Sequence, residues 1–279
     1  MKPRPYAEVD VFASAALSGN ALAVVFDADD LSDAQMRAFA RWTNFSETTF
    51  VLRPDAPGAD YRVRIFTPGG ELPFAGHPTL GTCHAWLQRG GVPQGGSAIV
   101  QQCAKGLVRL QRSGEQLAFE APAMQAGALD TATLHALCAA LQLPVAAVQA
   151  HALLDNGPQW AVLQLADAQA VLRLRPDFAA LAALPKLGVV GAWPSGGECA
   201  FELRGFAPSV GVNEDPVTGS LNASVAQWLM SRDAAPAQYV AAQGQCVGRA
   251  GRVAVQRDAA GRVWVGGDVH TRVLGELQL

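Results

Sequence analysis

Two stretches of the chain place a proton-transferring side chain just ahead of a segment that reads as a helix. The first, FAGHPTLGT at 74–82, contains His77, and the second, NEDPVTGSL at 213–221, contains Asp215. When the prolines that follow these residues are aligned, a Gly-Thr pair in the first stretch falls opposite a Gly-Ser pair in the second. Histidine and aspartate can both move protons or orient a substrate near neutral pH. The pattern predicts two halves of one fold that build one site between them.

A second matched pair of motifs indicates an internal duplication. The motif Arg-x-Phe-x-Pro begins at Arg64 and again at Arg204. These two arginines are 140 residues apart, and His77 and Asp215 are 138 apart, both close to half of the 279-residue chain. Two ordered motifs at nearly one offset are typical of a repeat. Each half reads as short strands around one helix of small and apolar residues, so the expected fold class is α/β.

Both of these helices are predicted to begin at the proline of their motif and to bind an anion there. The first N–H groups of a helix lack partners within it and lie at the positive end of its dipole, which favours carboxylates and phosphates. Gly81-Thr82 and Gly219-Ser220 permit close approach and supply hydroxyl groups. A small anionic substrate is therefore expected. The alternative is that the histidine and the aspartate only cap their helices. Either residue alone fits both interpretations, whereas the matched pair favours a functional role.

Glu47 is a third candidate, in the polar stretch at 44–49 between a predicted helix and an apolar strand. A carboxyl group that is partly buried there would have a raised pKa, which suits a general acid or base. The alternative is a turn residue that bonds to Ser46 or Thr48. On the residues alone, the turn is the favoured interpretation.

Composition argues against several classes of function. Half of the residues are apolar, 16% are charged and the net charge is −3, with Lys and Arg scattered along the chain. These features predict a compact globular protein with no nucleic-acid footprint and no polybasic membrane patch. The first residues lack the apolar core of a signal peptide, and no apolar run is long enough to span a bilayer. A cytoplasmic protein without membrane contact is therefore expected.

The remaining patterns argue against metal, disulfide, dinucleotide and serine-hydrolase chemistry. The five cysteines are widely spaced and form no C-x-x-C pair, so neither disulfides nor a zinc site is expected. Glu47, His77 and Asp215 lack the spacing of a metal-binding motif. Ser220 is not in a G-x-S-x-G elbow, and the glycine-rich segment at 248–251 precedes a strand instead of opening a helix. No metal and no cofactor are predicted.

Taken together, the motifs resemble those of the PhzF-like phenazine-biosynthesis proteins, within the diaminopimelate epimerase-like fold. The resemblance runs over essentially the whole chain. Besides the motifs already described, it includes three further segments, which are GNALAVV at 19–25, NFSETTFV at 44–51 and QGQCVGRAGRV at 243–253. Several such motifs in one chain make the resemblance specific.

The resemblance implies an α/β (α+β) architecture of two pseudo-symmetric domains, each a barrel-like sheet around a central helix. An N-terminal epimerase-like domain is expected at 1–125, joined by the last strand at about 270–279. A C-terminal epimerase-like domain is expected at 126–269. Members of the family usually pair, so a homodimer is also implied.

The family's best-known member isomerises trans-2,3-dihydro-3-hydroxyanthranilate without a cofactor. In that reaction a glutamate takes a proton from a ring carbon and helps to return it elsewhere. The resemblance assigns this role to Glu47, which reverses the turn interpretation. It implies that His77 and Asp215 orient the substrate and relay protons. The residues that would line the site and hold the substrate carboxylate are Gly76, Gly219 and Ser220.

Related epimerases and proline racemases use two cysteines that face each other across the substrate. Here the first such position is Ala75, and 213–221 contains no cysteine, so two-thiol racemisation is disfavoured. The expected function is a cofactor-independent isomerase that transfers a proton on a small carboxylated substrate. Two alternatives stay open, an epimerase or tautomerase of another carbon acid and a catalytically idle homologue that keeps the anion cleft. The joint retention of all four polar candidates counts against the idle homologue.

Overall fold

The structure of the chain is a computed structural model that describes residues 2–96, 98–114 and 116–279. Its strands, numbered along the chain, are β1 (Pro3–Val11), β2 (Asn20–Val25), β3 (Glu47–Leu52), β4 (Tyr61–Thr67), β5 (Gly70–Leu72), β6 (Ala98–Cys103), β7 (Gly106–Ser113), β8 (Gln116–Glu120), β9 (Gln125–Gly127), β10 (Ala150–Asp155), β11 (Gln159–Gln164), β12 (Leu187–Ala192), β13 (Phe201–Ala207), β14 (Val212–Asp215), β15 (Gln238–Gln243), β16 (Gly251–Arg257), β17 (Val263–Gly267) and β18 (Val269–Gln278).

Helices are fewer than strands, so the predicted mixed α/β class is confirmed, with sheet as the larger part. The helices are α1 (Asp33–Thr43), α2 (Gly76–Gln88), α3 (Thr131–Ala140), α4 (Ala168–Arg173), α5 (Phe178–Leu181) and α6 (Gly219–Met230). Within the described ranges, none of them has the length and apolar character needed to cross a membrane.

The chain divides into two compact units. Unit 1 consists of Met1–Glu120 together with Gly266–Leu279, and unit 2 consists of Ala121–Val265. The C-terminal strand β18 belongs to unit 1, because it pairs antiparallel with β1 along the whole length of that strand. Each unit is described below by itself.

In unit 1 the strands surround α2. The helix packs against β1, β2, β3, β8 and β18, and residues 76–83 are all buried. Gly81 permits this close packing, because a Cβ atom on it would lie 2.6 Å from a methyl group of Leu22. A helix that is apolar or small on every side is stable only when it is covered all round. Its burial fixes the position of the first motif inside the unit.

In unit 2 the helix α6 takes the equivalent place. It packs against β10 and β16, and residues 219–226 are all buried. Gly188 in β12 lies directly beneath the helix, since a Cβ atom there would be 2.3 Å from the side chain of Leu221. A separate apolar cluster packs the shorter helices of this unit against the sheet and includes Leu137, Val171 and Phe206.

The two units repeat one order of strand pairing. In unit 1, the strands β1, β2, β3, β4, β6 and β7 pair in turn as antiparallel, parallel, antiparallel, parallel and antiparallel neighbours. In unit 2, the strands β10, β11, β12, β13, β15 and β16 pair in the same alternation. In both units the arginine of the repeated motif lies over the phenylalanine two residues on, at 5.1 Å for Arg64 and 5.0 Å for Arg204. The repeated motifs therefore occupy equivalent places in a repeated pattern of strands.

Both central helices begin at a different residue from the one predicted. The first, α2, begins at Gly76, two residues before the proline of its motif. The second, α6, begins only at Gly219, three residues after Pro216. Thr218 stays in an extended conformation, with φ −109° and ψ 98°, and its backbone N–H donates to the side chain of Gln243. A hydrogen bond from a distant residue thus overrides the local helix signal of the proline.

Candidate active site

His77 lies in the first turn of α2 and its ring is held by a polar network. The side-chain amide of Asn20 donates from Nδ2 to His77 Nδ1, at 3.2 Å. The other end of that amide is fixed, because Ser46 Oγ donates to Asn20 Oδ1 at 3.3 Å. Since Nδ1 accepts a hydrogen bond, the proton of a neutral His77 ring resides on Nε2. The network therefore selects one tautomer of the ring.

Glu47 is the first residue of β3, and its carboxylate faces that second nitrogen. Glu47 Oε2 lies 3.4 Å from His77 Nε2. The two side chains differ in access, since 3% of the His77 side chain and 13% of the Glu47 side chain is exposed. Burial lowers the pKa of His77 to about 3, because an imidazolium ion would lose its hydration. At neutral pH the ring is uncharged and presents its Nε2–H to the carboxylate.

This arrangement suits a carboxylate that exchanges protons with a substrate. The neutral ring lies beside the Glu47 carboxylate without neutralising its charge, although the contact between His77 Nε2 and Glu47 Oε2 does not have the geometry of a hydrogen bond. The partial exposure of Glu47 leaves room for a substrate to reach it, whereas His77 is shielded. The pair thus consists of a partly exposed carboxylate and a buried neutral ring beside it, which is an arrangement that a general base can use.

The start of α2 carries no side-chain cap. Its N-cap residue is Ala75, which makes no capping hydrogen bond. Gly76 is the first residue of the helix and is buried. His77 lies within the helix and Ala75 is the N-cap, so His77 does not occupy the capping position considered from the sequence.

In unit 2, Asp215 ends β14 and is held by a threonine. Thr218 Oγ1 donates to Asp215 Oδ2 at 2.6 Å, and the side chain of Asp215 is almost fully buried. Thr218 is also the N-cap residue of α6, without a side-chain capping bond of its own. The short distance is typical of a hydroxyl donor bonded to a carboxylate. Asp215 therefore has a fixed orientation next to the start of the helix.

A single buried glutamine, Gln243 at the end of β15, locks this part of unit 2. Its Nε2 donates to the backbone oxygen of Asp215 at 3.0 Å and to Thr218 Oγ1 at 2.9 Å. Its Oε1 accepts from the Thr218 N–H at 3.0 Å and from Asn222 Nδ2 at 2.9 Å. All four hydrogen-bonding positions of the amide are thus used. Gln243 is the first residue of the glycine-rich motif at 243–253, which the sequence alone left without a role.

Gly219 and Ser220 form the first turn of α6 and are both buried. The hydroxyl of Ser220 accepts from Trp160 Nε1 at 3.3 Å. The backbone oxygen of the same residue accepts from Asn156 Nδ2 at 2.9 Å. These contacts from β11 and the end of β10 keep the first turn of the helix in place.

The structure brings the predicted residues together in two groups. Glu47, His77 and Gly76 lie together in unit 1, and Asp215, Gly219 and Ser220 lie together in unit 2. That both groups serve one substrate stays a prediction from the sequence, as do the roles of the six residues. Sequence reasoning missed Asn20, Thr218 and Gln243, although all three stand inside motifs that it had singled out.

Among the residues that the structure describes, no group of three or more His, Cys, Asp or Glu side chains is placed to hold a metal ion. All five cysteines are free thiols. The pair of Glu47 and His77 contributes two potential ligands, which is fewer than a structural or catalytic zinc site requires.

Comparison with known proteins first defines the class of fold. The crystal structure of a phenazine biosynthesis protein of the PhzF family from Bacillus anthracis matches the whole of this chain. The TM-score is 0.85, the identity is 22%, and 100% of each chain is covered. The architecture described above is therefore that of the PhzF proteins.

Sequence comparison then gives the family. The family model described as "Phenazine biosynthesis-like protein" (PhzC-PhzF) matches residues 9–273. The trans-2,3-dihydro-3-hydroxyanthranilate isomerase of Pseudomonas aeruginosa is 36% identical, over 92% of this chain and 91% of that protein. Antisense-enhancing sequence 1 of Schizosaccharomyces pombe is 37% identical, over 99% of each chain. The chain belongs to the PhzC-PhzF family, which confirms the resemblance seen in the motifs, and it is an isomerase.

Proposed function

We propose that the chain is a cofactor-independent isomerase that moves a proton on a small carboxylated substrate, with Glu47 as the base. The type case is trans-2,3-dihydro-3-hydroxyanthranilate in phenazine biosynthesis, the substrate named for the Pseudomonas aeruginosa relative. The observation that carries the proposal is the pairing of the accessible Glu47 carboxylate with the buried, neutral His77 ring at 3.4 Å.

The proposed reaction needs only proton transfers. The Glu47 carboxylate takes a proton from a ring carbon of the substrate, and the electrons of that C–H bond shift the neighbouring double bonds. The protonated carboxyl group then returns the proton to another carbon, so that substrate and product have the same composition. His77 holds the carboxylate in position through its Nε2–H during both steps.

The substrate carboxylate is assigned to the open helix starts. Gly219 and Ser220 form the first turn of α6, where backbone N–H groups and the helix dipole favour an anion. Asp215 orients the substrate next to them, and Gly76 is the first residue of α2. Part of the same proposal is that units 1 and 2 are the two pseudo-symmetric domains expected from the motifs, in a homodimeric, cytoplasmic enzyme.

The test follows deuterium from D2O into trans-2,3-dihydro-3-hydroxyanthranilate by NMR. Wild-type protein is expected to convert the compound and to label the product. Glu47→Gln keeps the shape of the side chain and removes the base, so conversion should fall by at least about 100-fold, the low end for a general acid or base. Glu276→Gln, at an exposed glutamate of the same unit, is the matched control and should leave conversion unchanged.

The outcomes separate the proposal from its two alternatives. If Glu47→Gln converts as fast as wild type, Glu47 is not the base. An epimerase or tautomerase of another carbon acid would leave this compound unchanged and would label a different carboxylic acid in a Glu47-dependent way. An idle homologue would bind small carboxylates and label none of them.

A further inference from the structure

Three strands of unit 2 place a row of residues on the face of the sheet that points away from α6. Glu202 in β13 lies opposite Ala242 in β15, and Ala242 lies opposite Arg252 in β16. Side chains alternate between the two faces of a strand. Since Gln243 points to α6, its neighbour Ala242 and the other two members of the row point to the opposite face.

The row forms the floor of a cavity of about 630 Å³. One wall is the loop that joins β12 to β13, with Trp193 and Glu198, and the other is the loop after β15, with Arg249. The small side chain of Ala242 leaves the space between Glu202 and Arg252 open. A volume of this size falls within the range of small-molecule sites.

Two buried polar atoms in this floor have no hydrogen-bond partner. They are Glu202 Oε1 and Arg252 Nε. Glu202 is 1% exposed, and its other oxygen accepts from Trp193 Nε1 at 3.2 Å. Unsatisfied buried acceptors and donors are uncommon in folded proteins and cost free energy. An acceptor and a donor left open in one cavity indicate that a ligand completes them.

The charges around the cavity define what that ligand carries. Arg252 and Glu198 neutralise each other through an ion pair at 3.1 Å. Arg249 forms no side-chain hydrogen bond or ion pair with any described residue, so its guanidinium group is available to a carboxylate. Glu202 is available to a cation or a hydrogen-bond donor. Burial raises the pKa of Glu202 to about 7, so a bound ammonium group would favour its ionised form.

The corresponding row of unit 1 is filled. There Arg62 lies opposite Gln102, at positions equivalent to Glu202 and Ala242. The Gln102 side chain reaches the side chain and the backbone of Asp55, and Arg62 pairs with the same aspartate. In unit 1 the polar side chains of the row therefore have hydrogen-bond and ion-pair partners within the protein. In unit 2, Glu202 Oε1 and Arg252 Nε do not.

We propose that this cavity of unit 2 is a second small-molecule site, for a ligand that carries one ammonium group and one carboxylate, which is an amino acid in the simplest case. The carboxylate is bound by Arg249 and by the open Nε of Arg252. The ammonium group is bound by Glu202. The cavity also borders Gln243, but Glu202, Ala242 and Arg252 lie on the face of the sheet opposite to the Gln243 side chain, so the proposed site is distinct from the isomerase site proposed above.

The first experiment screens the common L-amino acids, one at a time at millimolar concentration, for a rise in the melting temperature of the full chain. The strongest is then measured by calorimetry beside its decarboxylated and deaminated analogues. We expect one or more amino acids to bind, and both analogues to bind at least about tenfold more weakly, as for the loss of a charged hydrogen bond. No binding by any amino acid would overturn the proposal.

Three variants assign the binding to the cavity. Ala242→Gln copies the filled row of unit 1 and should abolish binding, with a melting temperature that shows the protein still folds. Arg249→Gln should weaken binding about tenfold or more, whereas Arg257→Gln, an exposed arginine in the same strand as Arg252, should not. Glu47→Gln should bind as wild type does. Binding that survives both Ala242→Gln and Arg249→Gln would refute the site.

Proton release gives a readout that a change of packing would not produce. Binding of an ammonium group should ionise Glu202, so that near pH 7 the ligand releases a proton, seen as a dependence of the heat on the buffer. The charged groups that act on this carboxyl are Arg252, Arg204 and Glu214, and the thiols of Cys199 and Cys246 also lie near it. The release should fade as pH rises well above 7 and be absent in Glu202→Gln. Binding without any release would contradict the role of Glu202.

Discussion

The starts of the two central helices differ both in their position relative to the motif proline and in the groups that they carry. At the start of α2, a buried histidine faces a partly exposed carboxylate across 3.4 Å. At the start of α6, Asp215 is bound by a hydroxyl group and by a fully bonded glutamine. Two ionisable side chains meet in the first case. In the second case one ionisable side chain is fixed by neutral partners.

Strand register identifies the residue that corresponds to Glu47 in unit 2. Thr48 lies opposite Phe66 in unit 1, and Leu187 lies opposite Phe206 in unit 2. The two phenylalanines are equivalent, so the residue before Leu187, which is Lys186, occupies the place of Glu47. Its ammonium group lies over the ring of Trp160, 5.3 Å from the ring centre. The repeated strand pattern therefore occurs in both units, but only unit 1 has a carboxylate, the proposed base Glu47, at this position.

The two repeated arginines differ in how deeply their ion pairs are buried. This difference leads to the largest expected effect on stability. Arg204 makes a bidentate pair with Glu214, and 4% of each side chain is exposed. Arg64 makes the same bidentate pair with Glu71, but with 19% and 29% exposure. Arg204→Met should cost about 3–5 kcal/mol of unfolding free energy, because it leaves a buried carboxylate unpaired. Arg64→Met should cost about 1 kcal/mol or less.

Urea unfolding of the two single variants measures this difference. The double variant Arg204→Met with Glu214→Gln should recover part of the loss, since it removes the unpaired charge. Equal losses for the two single variants would show that the burial of the Arg204 pair carries no extra free energy.

The next largest effect comes from a comparison of two variants, one at His77, which lies beside Glu47, and one at Lys186, which takes the place of Glu47 in unit 2. His77→Gln should lower kcat by about 100-fold with little change in KM, because the ring acts through the orientation of Glu47 and not on the substrate. Lys186→Met, at the equivalent of Glu47 in unit 2, should leave kcat unchanged. Steady-state kinetics on the substrate found in the deuterium experiment measures both. A larger effect on KM than on kcat would place His77 in contact with substrate instead.

How much of the fold and of the candidate site could be predicted from the sequence depends on how far apart in the sequence the contacting residues are. The duplication pointed to His77 and Asp215, and the alternation of small, apolar and polar residues indicated the class of fold. Glu47 was recognised only through the family resemblance, because nothing near it in sequence indicates that it faces a buried ring. Asn20 is 57 residues from His77, and Gln243 is 25 residues from Thr218. No local pattern reports such contacts, and the displaced start of α6 follows from one of them.

A second buried glutamine, Gln101 in unit 1, sharpens the comparison further, although the strand register places Cys103 and not Gln101 at the position equivalent to Gln243. Gln101 is equally buried but bonds only to two hydroxyl groups, those of Thr79 and Tyr61. Gln243→Leu should lower the free energy of unfolding by about 1–3 kcal/mol, because it leaves the buried N–H and hydroxyl of Thr218 without the hydrogen bonds that Gln243 makes to them. Gln101→Leu should cost less, since it removes the acceptor of one hydroxyl group, that of Tyr61, whereas the Thr79 hydroxyl keeps its bond to the backbone oxygen of Ala75. Thermal unfolding measures both, and hydrogen exchange at the Thr218 amide should accelerate only in Gln243→Leu. Equal costs would argue that α6 does not depend on this clamp.

The smallest expected effect is the part of the pH dependence of stability that comes from the buried histidine at the start of α2. The pKa of His77 is lowered by burial to about 3 in the folded chain, against about 6.5 when unfolded. Between these values the unfolded chain takes up a proton that the folded chain does not, so stability falls as pH falls. From pH 7 to about 5.5 the loss attributable to His77 is about 1 kcal/mol. His77→Gln should remove that part of the slope in urea unfolding. His84→Gln should remove less, because that ring, in the same helix, is only partly buried, although burial lowers its pKa as well. An unchanged slope in His77→Gln would mean that the ring takes up a proton beside Glu47 in the folded state, and the neutral donor proposed for the isomerase would have to be replaced by an ion pair.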